Sequence, residues 1–172
     1  MMKSPRLSSI TLALALAVPV ALAGQEVGLP VGATAPAVTV EDLDGKPVDL
    51  GRYIGKGPVL LEFWATWCPV CKALAPSLKQ AHAQYGPTVQ FVAIGVGVNE
   101  TRGSIKRHLA NDPLPFPVLF DGDGAAVRAY QAPTTSYIVV LDKTGKVTYT
   151  GTGSEQDLAG ALKKAVEDGR RR

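Results

Sequence analysis

Cysteine, histidine and methionine are scarce in this 172-residue chain, with two of each. Two cysteines exclude a disulfide-dense scaffold. Neither a second C-x-x-C nor a close pair of histidines is present, which leaves too few ligands for a closed zinc site. His82 and His108 lie on separate segments and read as surface or helix-flank histidines. Aromatic residues make up only 6% of the chain and are not interleaved with a basic stripe, so a nucleic-acid surface is not expected. The net charge of +3 comes from the ends: Lys3 and Arg6 at the start and Arg170, Arg171 and Arg172 at the finish. Without those five the chain has 13 basic against 15 acidic residues. There is no internal repeat. With 46% apolar and 19% charged residues, the composition is that of one globular domain.

One long apolar run is present, at the N-terminus. Lys3 and Arg6 precede an uncharged stretch from Ile10 to Ala23 that ends in Ala21-Leu22-Ala23, an A-x-A pattern. Its 14 residues span about 21 Å as a helix, short of a hydrocarbon core of about 30 Å, and Pro19 interrupts it. We expect an export signal over residues 1–23, cleaved after Ala23, with an uncleaved anchor as the alternative. No cysteine lies near the cleavage point, as a lipoprotein anchor would need. Export would place the chain, in a periplasmic or other extracytoplasmic setting, where disulfides persist. Residues 24–34 read as a flexible lead-in, 35–168 as the folded domain and 169–172 as a basic tail.

Within the domain, Asp44-Gly45 between two short apolar runs signals a hairpin. Pro58 to Ala65 is a nearly continuous run of strand formers with one acid inside, the pattern of a strand covered on both faces. Leu74, Leu78, Ala81 and Tyr85 then recur at helical spacing until Gly86-Pro87. A second buried strand follows, then a short helix capped by Thr101, a short strand, another helix and a hairpin around Lys143-Thr144-Gly145. The final helix reads as amphipathic, with Ser154 leading it. Strands alternating with helices, then a hairpin, predict an α/β fold with a mixed sheet.

Both cysteines, Cys68 and Cys71, fall where the buried strand meets its helix. Pro69 would be the first helical residue, where a missing N–H costs nothing. The unpaired N–H groups and partial positive charge of a helix start stabilise a thiolate. A structural disulfide closing so short a loop would gain little. A metal clip lacks ligands. A redox pair is the reading left, with Cys68 the exposed attacker and Cys71, one turn on, the resolving thiol.

The segment Phe63 to Lys72, "FWATWCPVCK", with Pro76 following, resembles the active-site segment of the thioredoxin superfamily. The lead-in from Val31 and the stretch "LPFPVLFDGDGAAVRAY" resemble its exported TlpA/ResA/CcmG-like branch and related AhpC/TSA-type domains. The resemblance covers the chain from about Val31 onward and implies a thioredoxin-like fold: a central mixed sheet with flanking helices, an N-terminal β-hairpin extension and an inserted strand–helix. It implies that Cys68 and Cys71 are the nucleophile and resolving cysteine. Trp67, Pro69, Val70 and Pro133 would meet the substrate, and Pro76 would kink the helix. It matches Glu62 to a buried acid that moves the proton of the resolving cysteine. It further implies protein thiols and disulfides as substrates, a membrane thiol reductase as electron donor, a monomer, and no cofactor or metal beyond the cysteine pair. Cytochrome c maturation is one use of such proteins.

Two departures from the pattern stand out. Leu74 occupies the position where many relatives carry a glutamate. The superfamily's cis-proline has Pro133 as its candidate, yet Pro133 lies about three residues too far from Asp142. Either the strand is longer or bulged, or Ser136 takes the position. Two other functions fit less well. A peroxidase of P-x-x-x-T-x-x-C type would need threonine at Ala65 and proline at Leu61. The other is a non-catalytic class, a copper chaperone or redox-dead binding module; a copper-delivery protein resembling this fold typically has C-x-x-x-C and a distant histidine, and the C-x-x-C spacing here argues against it.

Overall fold

The structure, a computed structural model, describes residues 28–171. The expected export signal and the start of the lead-in lie outside them. Seven strands form one mixed sheet: β1 (Thr39–Asp42), β2 (Pro47–Asp49), β3 (Val59–Trp64), β4 (Gln90–Val96), β5 (Val118–Asp121), β6 (Tyr137–Leu141) and β7 (Val147–Gly151), in the order β2-β1-β5-β4-β3-β6-β7. The helices are α1 (Pro69–Tyr85), α2 (Arg102–Asn111), α3 (Ala125–Ala129) and α4 (Leu158–Arg171). The β1–β2 hairpin is the expected N-terminal extension, and β5 with α3 is the inserted strand–helix.

β3 fixes the centre. It pairs parallel with β4 and antiparallel with β6, and all six of its residues are buried. Alternation along the strand divides its side chains between two cores. Leu60 and Trp64 join Leu74 and Leu78 of α1, Ile105 of α2 and Leu158 and Leu162 of α4. Val59, Leu61 and Phe63 join Val40, Leu50, Ala126 and Tyr130 on the other face. Phe63 packs against Tyr130 and Tyr137, with ring centroids 5.6 and 5.7 Å away.

The helix boundaries follow local chemistry. Thr101 caps α2 as expected, in a reciprocal capping box with Ser104. The cap of α4 differs from the expectation. Ser154 lies ahead of the helix, and Asp157, directly before it, accepts from the Gly160 N–H at 2.9 Å. A carboxylate next to the first turn satisfies an orphan donor that a serine farther back cannot reach.

Residues 28–34, read in the sequence as a flexible lead-in, lie along the β7 end of the molecule. Gly32 N donates to Val147 O, Val147 N donates to Ala33 O, and Thr34 bridges Lys146. Leu29 N donates to the buried Tyr137 hydroxyl at 3.0 Å. Two tyrosines of the Phe63 cluster thus hold the N-terminal segment, since Tyr130 donates its hydroxyl proton to Pro36 O.

Phe63→Ala leaves a cavity between the two tyrosines and loosens that segment as well. It should cost about 3–5 kcal/mol, read as a lower urea midpoint with an unchanged slope.

Candidate active site

β3 ends at Trp64, a short turn follows, and α1 starts at Pro69. Cys68 is the N-cap of α1, with extended φ and ψ of −81° and 110°. Its sulfur accepts from the Cys71 N–H at 3.0 Å. Pro69 sits at the helix start as expected. Cys68 and Cys71 form a disulfide, with their Cα atoms 5.3 Å apart.

Exposure at the pair differs from the sequence expectation. Cys68 is only 2% exposed and Cys71 4%. The sequence places Cys68 at the mouth of a helix but does not show what lies opposite. That is Thr135, whose hydroxyl donates to Cys68 Sγ at 3.2 Å. What is exposed is the frame: Trp67 at 47%, Val70 at 40%, Val98 at 59%, and Pro69. Trp67 is held in place by an Nε1–H bond to Val98 O, 2.9 Å long.

The proline expectation is corrected. No peptide bond among the described residues is cis, so Pro133 is a trans proline. It lines an apolar groove of about 300 Å³ with Trp67, Val98, Val127 and Thr135. Ser136 precedes β6 directly, is buried and has φ +61°. Left-handed backbone is costly for a residue with a Cβ, and here neighbours hold it. The Ser136 hydroxyl accepts from Gly153 N, and its carbonyl accepts from Gln156 Nε2. The strained turn sets Thr135 against the sulfur.

Glu62 lies in the middle of β3, 3% exposed, paired in register with Ala93 and Ile138. Burial disfavours its charged form and pushes its pKa up to about 8. Glu62 and Cys71 line one small cavity. Leu74, at the position where relatives carry an acid, is fully buried core.

Two contributors were not read from the sequence. Thr135 carried only a weak signal, as the neighbour of the alternative Ser136 position. Glu100 carried none. Its buried carboxylate accepts from Thr66 N at 2.7 Å and bonds Ser104, which ties the turn before Cys68 to the start of α2. Hydrogen bonds, first that of the Ser104 side chain, offset burial and hold Glu100 below the usual carboxylate range. Among the described residues, no group of three or more His, Cys, Asp or Glu could hold a metal ion, and no helix is long and apolar enough to cross a membrane.

A disulfide at the first turn of a helix, carried at the end of a central strand in this sheet, defines a thiol–disulfide exchange protein of thioredoxin-like fold. Comparison with known proteins agrees. The Redoxin family model matches residues 30–166. The thiol-disulfide oxidoreductase ResA of Geobacillus thermodenitrificans is 31% identical over 137 residues, covering 78% of this chain and 77% of that protein. Among solved structures, a putative thiol:disulfide interchange protein DsbE from Chlorobium tepidum is 29% identical with a TM-score of 0.69, covering 82% of this chain and 98% of that one. A secreted Mycobacterium tuberculosis disulfide oxidoreductase, homologous to Escherichia coli DsbE, is 31% identical with a TM-score of 0.64, covering 74% and 96%. The chain belongs to the Redoxin family.

Glu62 gives a pH signature. A raised carboxyl pKa means that the folded state holds a proton the unfolded state has lost. Stability should therefore fall as pH rises from about 4.5 to about 8 and level off above that. Glu62→Gln should remove that fall, in urea unfolding of the oxidised protein at several pH values. A parallel decline in the variant would mean that Glu62 ionises freely.

Proposed function

We propose that this chain is an exported thiol–disulfide oxidoreductase that reduces protein disulfides, with Cys68 as attacker and Cys71 as resolver. One observation carries the assignment of roles: the two sulfurs stand in opposite surroundings. Cys68 Sγ accepts from the Cys71 N–H and the Thr135 hydroxyl. Once the pair is reduced, both donors and the helix start favour a thiolate there. Cys71 has Glu62 across a shared cavity, a group suited to accept or return its proton.

The reaction follows from these positions. The Cys68 thiolate attacks a substrate disulfide, forms a mixed disulfide and expels one substrate sulfur as thiolate. Glu62, in the fraction ionised near its raised pKa, takes the Cys71 proton. The Cys71 thiolate attacks Cys68 Sγ, which re-forms the internal disulfide and releases the second substrate sulfur. A donor dithiol then restores the reduced pair. The ResA relatives and the apolar frame around the pair support a protein substrate and a membrane thiol reductase as donor. They support an extracytoplasmic location too, in line with the apolar N-terminus. Trp67, Pro69, Val70 and Pro133 border the substrate's path. Cytochrome c maturation is a use consistent with this reading. The chain acts as a monomer, with no cofactor beyond the disulfide.

Two measurements test the proposal. Cys71→Ser should accumulate mixed disulfides with substrates on non-reducing gels, and Cys68→Ser should not. Equal trapping by both would overturn the roles. Equilibration with a thiol redox series should give a potential near thioredoxin's, about −270 mV. A value near about −120 mV would mark an oxidant and reverse the direction of electron flow.

A further inference from the structure

Glu62 can take a proton from Cys71, yet it is 3% exposed inside an apolar strand. A proton taken there has to leave. Glu62 lines the cavity it shares with Cys71, about 30 Å³, bordered also by Trp64, Lys72, His108 and Asp112. A cavity of that size accommodates one or two waters if polar groups line it. Glu62, His108 and Asp112 supply polar side chains to its lining.

The charged and titratable groups facing this cavity come from three elements. β3 supplies Glu62, α1 supplies Lys72, and α2 with its C-cap supplies His108 and Asp112. Asp112 is engaged by Lys79 of α1, whose hydrogen bond holds the carboxyl below its ordinary range. Lys72 is exposed and offers only donors when charged. His108 is half-buried, its ring packed on Trp64 with centroids 5.7 Å apart. Imidazole both accepts and donates a proton near neutral pH.

We propose that His108 is the proton relay between Glu62 and solvent. This rests on the proton-accepting role given to Glu62 above. During resolution the Cys71 proton passes to Glu62. The thiolate electron pair forms the Cys68–Cys71 bond, and the pair of the broken mixed disulfide leaves on the substrate sulfur. The Glu62 proton crosses the cavity to the neutral His108 imidazole, and the imidazolium releases it to water. Reduction of the disulfide runs the path backwards. His108 acts through Glu62 and touches no reacting atom.

The test uses the reduced full chain and an aromatic disulfide whose thiolate absorbs visible light. The first thiolate released reports attack by Cys68, the second attack by Cys71. Rates are followed from about pH 6 to about pH 9 for the parent chain, His108→Gln and Glu62→Gln. His108→Gln should keep the first phase and slow the second by about tenfold or more, a modest share of what acid–base groups contribute. Free imidazole in the buffer should restore that second phase. Glu62→Gln should slow the second phase with no such rescue. A normal second phase in His108→Gln, with Glu62→Gln slow, would overturn the relay alone. So would a slow phase that imidazole leaves unchanged, which marks lost packing on Trp64. A normal second phase in Glu62→Gln would remove the acid's role and the relay with it.

Discussion

The sulfur of Cys68 caps the helix that begins beside it. At most helix starts a serine, threonine or carboxylate oxygen accepts the first free N–H. Here a thioether-like disulfide sulfur accepts from Cys71 N, and the site is organised around that substitution. On reduction a weak contact to a neutral sulfur becomes a charge-assisted one to a thiolate. The cap therefore supports the helix in one redox state and the nucleophile in the other. It depends on rigid placement. β3 is buried on both faces and paired on both edges, so its end is among the least mobile points available in such a sheet.

The strand also explains why the two sulfurs differ. Glu62 and Trp64 are two residues apart and face the α1 side, so the acid lies behind Cys71 rather than beside Cys68. Ala93 is next to Glu62 in register, and its small side chain leaves room there. Cys68 meets donors from α1 and from the turn before β6. One sulfur thus has groups that favour its anion, and the other has a group that can take its proton. The sequential chemistry follows from this asymmetry and not from the cysteines themselves.

Much of this was legible in the sequence because it depends on short-range pattern. The unbroken apolar run marked β3, the leucine spacing marked α1, and Asp44-Gly45 marked the hairpin. Cys68, Pro69 and Cys71 announced a helix start by residue type alone. Glu62 stood out as an acid in an apolar run, and its burial agrees. The contacts missed at the site involve what the chain brings from afar. Thr135 reaches Cys68 across 67 positions and Glu100 reaches Thr66 across 34. No local pattern encodes either contact. The trans Pro133 was misread because a proline near a strand start is a conspicuous letter, whereas a serine with positive φ is not.

Burial of Cys68 sets an order of events. A sulfur that is 2% exposed cannot be reached until something beside it moves, and the contact beside it is the Thr135 hydroxyl. The non-glycine residues with positive φ among those described are Asn99, Gln131 and Ser136. Asn99 lies in the loop after β4, and the other two lie in the segment between α3 and β6. Those two loops supply Val98, Pro133 and Thr135 to the groove beside Trp67. Unfavourable backbone is thus concentrated in the segments that cover the disulfide and border the groove. A partner that settles on Trp67 and Val98 gains apolar burial next to the loop that must shift. Docking and uncovering of the sulfur are therefore favoured together, and a small thiol, which gains no such burial, has to wait for the loop to open by itself.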